Sequence, residues 1–225
     1  DAFFRFESET SRSTLKVDAG YTEIDSEDQI KEDSGLMFET EFTREISGST
    51  RITASYGNSY SDSGERFRDL NELGDGTNIN GTDINIEDVD VVADPFRLQE
   101  FMLALDRSTN VDSLRIHLGF DDEDYTKSSE EDRQYSNVSV SYLRRITRSL
   151  RLGINGDYSK RDYSNSDRQD KTWSANLVGA YNLSDKIGLR LEVGPRRRDS
   201  TVTNAGFKES RAMLEIIYAT GSYRG

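Results

Sequence analysis

Apolar and polar residues alternate with a period of two along most of this chain, and the 3.6-residue period of an amphipathic helix is almost absent. In the segment 187–194, one face carries Ile, Leu, Leu and Val, and the other carries Gly, Arg, Glu and Gly. The segments 15–21, 114–121, 150–158 and 211–218 alternate in the same way. A β-strand places successive side chains on opposite faces, so this pattern predicts strands with one apolar and one polar face.

Counting such segments predicts about eleven strands of roughly ten residues, the length that a tilted membrane-spanning strand needs. The strands are expected near residues 2–9, 13–24, 35–46, 49–61, 96–107, 112–124, 134–146, 149–161, 171–183, 186–198 and 207–219. Short connections are expected at 47–48, 108–111, 147–148 and 184–185, and long polar ones at 25–34, 61–94, 125–133, 165–170 and 199–205. This alternation is typical of outer-membrane barrels, which have tight periplasmic turns and longer extracellular loops.

The predicted fold class is all-β: an antiparallel up-and-down transmembrane β-barrel that forms a single domain over residues 1–225. The strands of a soluble β-sandwich also alternate apolar and polar residues. Those strands, however, average about five to six residues, and the loops between them are of less regular length. If the last strand ends in the periplasm, the first strand also runs toward the periplasm. Because bacterial barrels of one chain have both ends there, we expect at least one strand before Asp1 and about twelve or more in the full protein.

Aromatic residues concentrate near both ends of the predicted strands. Those near the long loops are Tyr21, Tyr56, Tyr60, Tyr158 and Trp173, and those near the short turns are Tyr142, Tyr181 and Tyr218. Amphipathic rings collect at the two membrane interfaces, so two aromatic girdles are expected.

The composition adds three constraints. A hydrophobic fraction of 33% leaves either a disordered chain or a fold with one apolar face per strand, and 10% aromatic residues with only 2 Pro favour the second. A formal charge of −13 argues against a nucleic-acid partner. The absence of Cys removes disulfides, zinc–thiolate sites and thiol nucleophiles.

The polar faces carry charged residues of both signs, which makes them the candidate lumen lining. The candidate residues are Lys16, Asp18, Glu39, Glu41, Arg115, His117, Arg151, Asp157, Arg190, Glu192, Arg211 and Glu215. Opposite charges on neighbouring strands can pair and simply fill a polar interior. They can also line a water-filled channel suited to a polar or acidic solute, and a loop or partner can plug such a lumen. The sequence leaves these alternatives open.

The segment 64–94 is longer than an ordinary loop and is expected to be an extracellular loop, folded inward as a constriction or packed over the mouth. Its stretch 78–90 alternates oxygen-bearing side chains beside a Gly, as calcium loops do, but the match to EF-hand spacing is poor. The acidic clusters 25–33 and 121–132 are interpreted as solvated loop tips. An alternative is that divalent cations bridge them to lipopolysaccharide phosphates.

Catalysis requires a base near a nucleophile, and the chain has a single His. His117 is predicted at mid-strand on the polar face beside Arg115, where a wall residue is the simpler interpretation. An outer-membrane hydrolase would need a Ser or Asp within reach of His117. We expect no enzyme activity, no metal centre and no cofactor.

The stretch 138–150, V-S-V-S-Y-L-R-R-I-T-R-S-L, resembles the Tyr-x-Arg-Arg, short turn, Ser-Leu-x-Leu hairpin of a family of outer-membrane β-barrels. The stretch 177–193, followed by Arg-Arg-Asp-Ser at 197–200, resembles it too. These barrels are encoded with exopolysaccharide synthesis and export systems, including those associated with exosortase (PEP-CTERM) protein sorting. The resemblance covers residues 96–218, and no site residue is carried over from the family. The chain departs from the family pattern because it continues to Gly225, past its last aromatic girdle.

The resemblance implies a protein of the bacterial outer membrane that takes part in exopolysaccharide export through a polar lumen. The alternative is a general or solute-selective porin, or a barrel that serves as the scaffold of another envelope complex. The implied partners are outer-membrane lipid and lipopolysaccharide, with polysaccharide and periplasmic export proteins, and not nucleic acid.

Overall fold

A computed structural model describes residues 2–24, 33–61, 96–126, 129, 132–184 and 186–218. The predicted long loop at 64–94 and most of the first acidic cluster, residues 25–32, lie outside these residues. In the described ranges, no helix is long and apolar enough to cross a membrane.

Eleven β-strands follow one another along the described chain. They are β1 (Ala2–Glu9), β2 (Ser13–Ile24), β3 (Asp33–Ser47), β4 (Thr50–Ser61), β5 (Phe96–Ser108), β6 (Asp112–Tyr125), β7 (Arg133–Arg145), β8 (Leu150–Tyr163), β9 (Gln169–Asn182), β10 (Ile187–Ser200) and β11 (Phe207–Tyr218). All eleven predicted strands are confirmed, and no end differs from its prediction by more than two residues.

The strands form one antiparallel sheet in which neighbours in sequence are neighbours in space, from β1 to β11. All eleven described strands belong to one sheet in sequence order, whereas a soluble sandwich divides its strands between two packed sheets. Each edge strand, β1 and β11, pairs on one side among the described residues. The topology is that of an up-and-down barrel.

The connections alternate in length, as predicted. The short turns, at 10–12, 48–49, 109–111, 146–149 and 183–186, all lie at one end of the sheet. The strand ends that flank the other connections, at 25–32, 62–95, 126–132, 164–168 and 201–206, lie at the opposite end. We refer to these as the short-turn end and the long-loop end.

The register separates the side chains into two faces. The ladder aligns Leu152, Leu191 and Leu214 on one face, with Gly179 between the first two. This apolar face is open: Leu177 is 69% exposed and Leu214 63% exposed. A continuous exposed apolar surface of this kind marks a membrane contact, because in water it would be unfavourable over its whole area.

Aromatic side chains border the apolar face at both ends, in agreement with the two predicted girdles. Toward the long loops, Phe101 lies directly between Tyr56 and Phe120, while Tyr158 faces Trp173. Toward the short turns, Tyr181 faces Leu150 and Leu189, and Tyr218 faces Ile187.

Four strands, β3 and β8 to β10, extend two residues further toward the long loops than the hydrophobic pattern predicts. In β8 and β9, Asp162 pairs with Gln169, and in β10, Asp199 pairs with Lys171. The backbone ladder does not require apolar side chains, so pairing continues beyond the point where the apolar face ends.

The close approach of β9 and β10 explains one glycine. The paired positions of these strands skip Gly194 and Pro195, and proline has no N–H to donate. A Cβ on Gly194 would overlap the carbonyl oxygen of Ala175 and lie 2.7 Å from the Cα of Asn176. A side chain at this position therefore forces the two backbones apart.

We predict that Gly194→Ala lowers the free energy of unfolding of the full-length protein by about 1–3 kcal/mol, the usual cost of overpacking. The measurement is denaturant unfolding in lipid vesicles. Gly179→Ala is the matched control, because a Cβ there meets only Leu152 Cδ2 at 3.6 Å, an ordinary contact. It should change stability by no more than about 0.5 kcal/mol. Equal effects of the two substitutions would contradict the backbone-contact explanation.

Candidate pore-lining face

All twelve candidate residues lie on one face of the sheet, opposite the exposed apolar side chains. We call it the polar face; it carries Lys16 on β2, Arg115 on β6 and Arg190 on β10. Its composition follows from the period-two pattern, because every second residue of each strand must point to it.

On β1 to β3, charges of opposite sign form cross-strand pairs. Arg5 donates from Nε to Asp18 Oδ1 at 2.7 Å and from Nη2 to Oδ2 at 3.0 Å, a bidentate pair. Lys16 Nζ lies 3.9 Å from Glu41 Oε1. Glu39 faces Asp18 in the register, so like charges also meet here.

On β5 to β7, Arg115 donates from Nε to Asp106 Oδ1 at 2.7 Å. His117 faces Ala104 and Ser139 in the register, and its Nδ1 lies 3.4 Å from the amide nitrogen of Asn137. Among the described residues, the hydrogen-bonding neighbour of His117 is thus an amide. It is not the carboxylate that orients the histidine of a Ser–His–Asp triad.

A hydrogen-bond network joins β7 to β10 across the middle of the polar face. Glu192 accepts from Asn176 Nδ2 at 2.8 Å and from Arg190 Nη2 at 3.3 Å, and Asn155 Nδ2 lies 3.5 Å from it. Ser141 Oγ donates to Asn155 Oδ1 at 2.8 Å. The Arg190 and Glu192 side chains are only 8% and 11% exposed, so this part of the face is well packed.

The remaining candidates also have polar neighbours on this face. Asp157 accepts from Ser174 Oγ at 2.9 Å, and Arg211 Nε lies 2.8 Å from Glu209 Oε1.

Arg151 and Glu215 lie on either side of Arg190. Arg151 and Arg190 both face Ala180 and line one small cavity, and Glu215 faces Arg190 from β11.

The most buried part of the polar face lies at its long-loop end, and it contains none of the twelve candidate residues. Six side chains there are at most 6% exposed: Phe96, Glu123, Tyr125, Arg133, Tyr163 and Asp170. We call these residues the rim cluster.

One half of the rim cluster is a buried ion pair packed on aromatic rings. Arg133 donates from Nε to Glu123 Oε2 at 2.6 Å, and the Tyr125 hydroxyl donates to the same oxygen at 2.9 Å. The Arg133 guanidinium lies 5.8 Å from the centre of the Tyr125 ring, and the centre of the Phe96 ring lies 5.0 Å from that of Tyr125.

The other half is organised by Asp170, which binds two arginines. Arg198 Nη2 lies 2.8 Å and Arg168 Nη2 3.1 Å from Asp170 Oδ2. Arg168 also stacks over Tyr163, with its guanidinium 4.3 Å from the ring centre.

The prediction that 121–132 forms a solvated loop tip is wrong for its first residues. β6 continues to Tyr125, so the alternation that puts Arg115 on the polar face also puts Glu123 there. Glu123 is four residues after Gly119, so the same alternation predicts from the sequence that it lies on the polar face. Its partner Arg133 follows only from the β6–β7 register.

Metal binding finds no support on the described part of the polar face. Among the described residues, no three His, Asp or Glu side chains are grouped closely enough to hold a metal ion. The calcium-like stretch at 78–90 lies outside the described residues.

The charges of the polar face are segregated around the sheet. On β1 to β6 the described carboxylates are Glu7, Glu9, Asp18, Glu39, Glu41, Glu45, Glu100, Asp106, Asp121 and Glu123, against the cations Arg5, Lys16, Arg51 and Arg115. On β7 to β11 the described cations are Arg133, Arg145, Arg151, Arg161, Arg190, Arg196, Arg198 and Arg211, against Asp157, Asp170, Glu192, Glu209 and Glu215. We call these strand sets the acidic sector and the basic sector.

Comparison with known proteins agrees with this architecture. Residues 123–219 match the family model described as putative beta-barrel porin 2. In-vitro folded OmpT, an outer membrane protein of Vibrio cholerae, superimposes with a TM-score of 0.57 at 10% identity, over 97% of this chain and 64% of that one. Its loop L8 deletion mutant gives 0.56 at 10% identity, over 97% and 62%. OmpT expressed in the outer membrane gives 0.54 at 10% identity, over 89% and 55%.

The chain has the fold of a porin-like outer-membrane β-barrel. It is a protein of the bacterial outer membrane, and its apolar face contacts membrane lipid. The chain spans at most 64% of the length of these solved structures, and at 10% identity they show the fold alone. No curated protein matches the sequence at a significant level. The resemblance to an outer-membrane barrel family is supported, and its link to exopolysaccharide export and exosortase systems stays a prediction.

We predict that Glu123→Ala destabilises this barrel by about 3–5 kcal/mol, because it leaves the Arg133 charge buried without its carboxylate. Glu45→Ala is the control: Glu45 pairs with Arg51 at 3.4 Å, but both side chains are about half exposed, so the loss should be under about 1 kcal/mol. The double variant Glu123→Leu/Arg133→Met should recover most of the stability. Unfolding in lipid vesicles measures all three, and equal losses for the two single variants would contradict the importance of burial.

Proposed function

We propose that this protein is a passive diffusion pore for small hydrophilic solutes, with the polar face as its lumen wall. The observation that carries the proposal is the segregation of charge on that face. An interior needed only to be filled would pair its charges locally throughout. Here carboxylates predominate on one run of adjacent strands and arginines on the other.

The order of the strands determines where the two charged sectors lie around the lumen. Strands that are neighbours in sequence are neighbours in the wall, so in a closed barrel the acidic and basic sectors occupy opposite arcs. The electric field between them then points across the lumen. A charged or dipolar solute entering this field is oriented, because its positive end turns toward the acidic sector.

The pairing within each sector suits a conduit. Bidentate and networked contacts, such as Arg5 with Asp18 and Arg190 with Glu192, hold the wall side chains in place. A solute passing such a wall makes many weak contacts and no tight one, which is the condition for transit.

The other sequence-derived hypotheses stay predictions. Exopolysaccharide export rests on the family resemblance, since no described contact distinguishes a polymer from a small solute. The absence of enzyme activity is likewise part of the proposal.

We predict opposite selectivity shifts when the two sectors are neutralised. The triple variant Glu39→Gln/Glu41→Gln/Glu100→Gln should move the reversal potential of the channel toward anion preference. Arg145→Gln/Arg151→Gln/Arg211→Gln should move it toward cation preference. Planar-bilayer recordings of the full-length protein under a salt gradient measure both. The shifts should be clear near 0.1 M salt and small near 1 M, where the Debye length falls from about 10 Å to about 3 Å.

The control for this experiment is Arg107→Gln/Arg144→Gln, which removes two positive charges from the opposite, lipid-facing side of the sheet. It should leave the reversal potential unchanged. A conducting channel whose selectivity responds to neither triple variant would sink the proposal that the polar face lines the lumen.

The size of the transported molecule distinguishes the diffusion-pore proposal from the export hypothesis. A deletion strain should show unchanged polysaccharide secretion and slower uptake of small hydrophilic solutes. Polysaccharide retained inside the deletion strain, with normal solute uptake, would instead support export and overturn the diffusion-pore proposal.

A further inference from the structure

Two pairs of cations face each other on the lipid-facing side of β8 to β11. In the register, Lys160 lies directly opposite Lys171, and Arg197 lies directly opposite Lys208. Lys160 is two residues from Tyr158 and Lys171 is two residues from Trp173, so each points to the same side of the sheet as that aromatic residue. Arg197 faces Trp173, so all four cations belong to the apolar face and not to the polar one. We call these four cations the outer basic patch.

Like charges directly opposite each other on neighbouring strands destabilise a sheet unless something compensates them. Two carboxylates lie nearby, and each is already held by a cation on its own strand. Lys160 Nζ lies 2.5 Å from Asp162 Oδ2, and Arg197 Nη2 lies 2.7 Å from Asp199 Oδ1. Lys171 faces Asp199 directly across β9 and β10, and it also acts electrostatically on Asp162. The patch therefore has four cations against these two carboxylates, and it keeps a net positive charge.

The patch has a defined height in the membrane. Tyr158 and Trp173 lie next to it on the side of the short turns, and they form part of the aromatic girdle at the long-loop end. Trp173 faces Arg197 directly. Aromatic girdles lie at the headgroup level, and long loops of such barrels are extracellular. The patch therefore lies at the headgroup level of the outer leaflet.

We propose that the outer basic patch binds the phosphate groups of a lipid headgroup in the outer leaflet, where the phosphorylated glycolipid is lipopolysaccharide. A phosphate between opposed cations removes their repulsion and accepts charge-assisted hydrogen bonds from both. Acyl chains below it would contact the neighbouring apolar face, which includes the exposed Leu177 and Leu214.

The arrangement is particular to these strands. Elsewhere on the same face, Arg44 faces Ser13 and Ile52, Arg107 faces Thr50 and Leu114, and Arg144 faces Asp112 and Leu152. None of these three cations, all at the short-turn end, is opposite another cation. They provide matched controls of the same charge.

The test uses the full-length protein in detergent micelles, titrated with lipid A that carries its phosphates and, separately, with dephosphorylated lipid A. Trp173 faces Arg197, so its fluorescence reports binding at the patch once any tryptophan outside residues 1–225 is replaced by phenylalanine in every protein compared. We expect Lys171→Gln/Lys208→Gln to weaken binding of phosphorylated lipid A roughly 25-fold, since each basic residue near an anionic surface contributes about fivefold. The control Arg107→Gln/Arg144→Gln should bind as the unaltered protein does.

Both double variants change exposed side chains and should keep the heat-modifiable gel mobility of a folded barrel. Unaltered protein that binds the two forms of lipid A equally would overturn the proposal, as would Lys171→Gln/Lys208→Gln binding with unchanged affinity. Channel conductance should be the same in this variant as in the unaltered protein. A failure of lipid binding is therefore distinguishable from a failure of the diffusion-pore proposal.

Discussion

Every backbone N–H and C=O inside a bilayer must find its hydrogen-bond partner within the protein, because hydrocarbon offers none. The antiparallel ladder that runs from β1 to β11 is the response of this chain to that requirement. Pairing, and not side-chain burial, holds the sheet together, so strands with few apolar residues remain regular. The ladder even continues past the apolar face toward the long loops, where Asp162 and Asp199 are paired as regularly as leucines elsewhere.

The same ladder places two chemically opposite surfaces back to back. One carries exposed aliphatic side chains bordered by aromatic rings, which suits lipid. The other carries acids and bases held by cross-strand bonds. Ion pairs on the polar face contribute differently to stability according to how deeply they are buried. The Glu123–Arg133 pair is almost fully enclosed, whereas the Glu45–Arg51 pair is open to solvent and is held weakly.

Charge has a different role on each surface. On the polar face, the acidic and basic sectors produce a field that acts on passing solutes. On the lipid-facing side, the outer basic patch has more cations than carboxylates, and we propose that an external anion offsets this excess. Both effects arise from the register of neighbouring strands. They therefore depend on pairs such as Lys160 with Lys171, which are close in space and eleven residues apart in sequence.

The period-two pattern alone determined the eleven strands, the two turn lengths and the face of every candidate lumen residue, because strand parity is a local property. The acidic residues at the start of 121–132 were expected in solvent because of their charge, but Glu123 lies on the extended β6 strand and is buried. Tertiary structure alone decided which side chains meet: Glu123 with Arg133, Asp170 with Arg198, and the opposed cations of the outer basic patch. Register is set by the pairing of whole strands, so a single strand read along the sequence shows which way a side chain points but not what it faces.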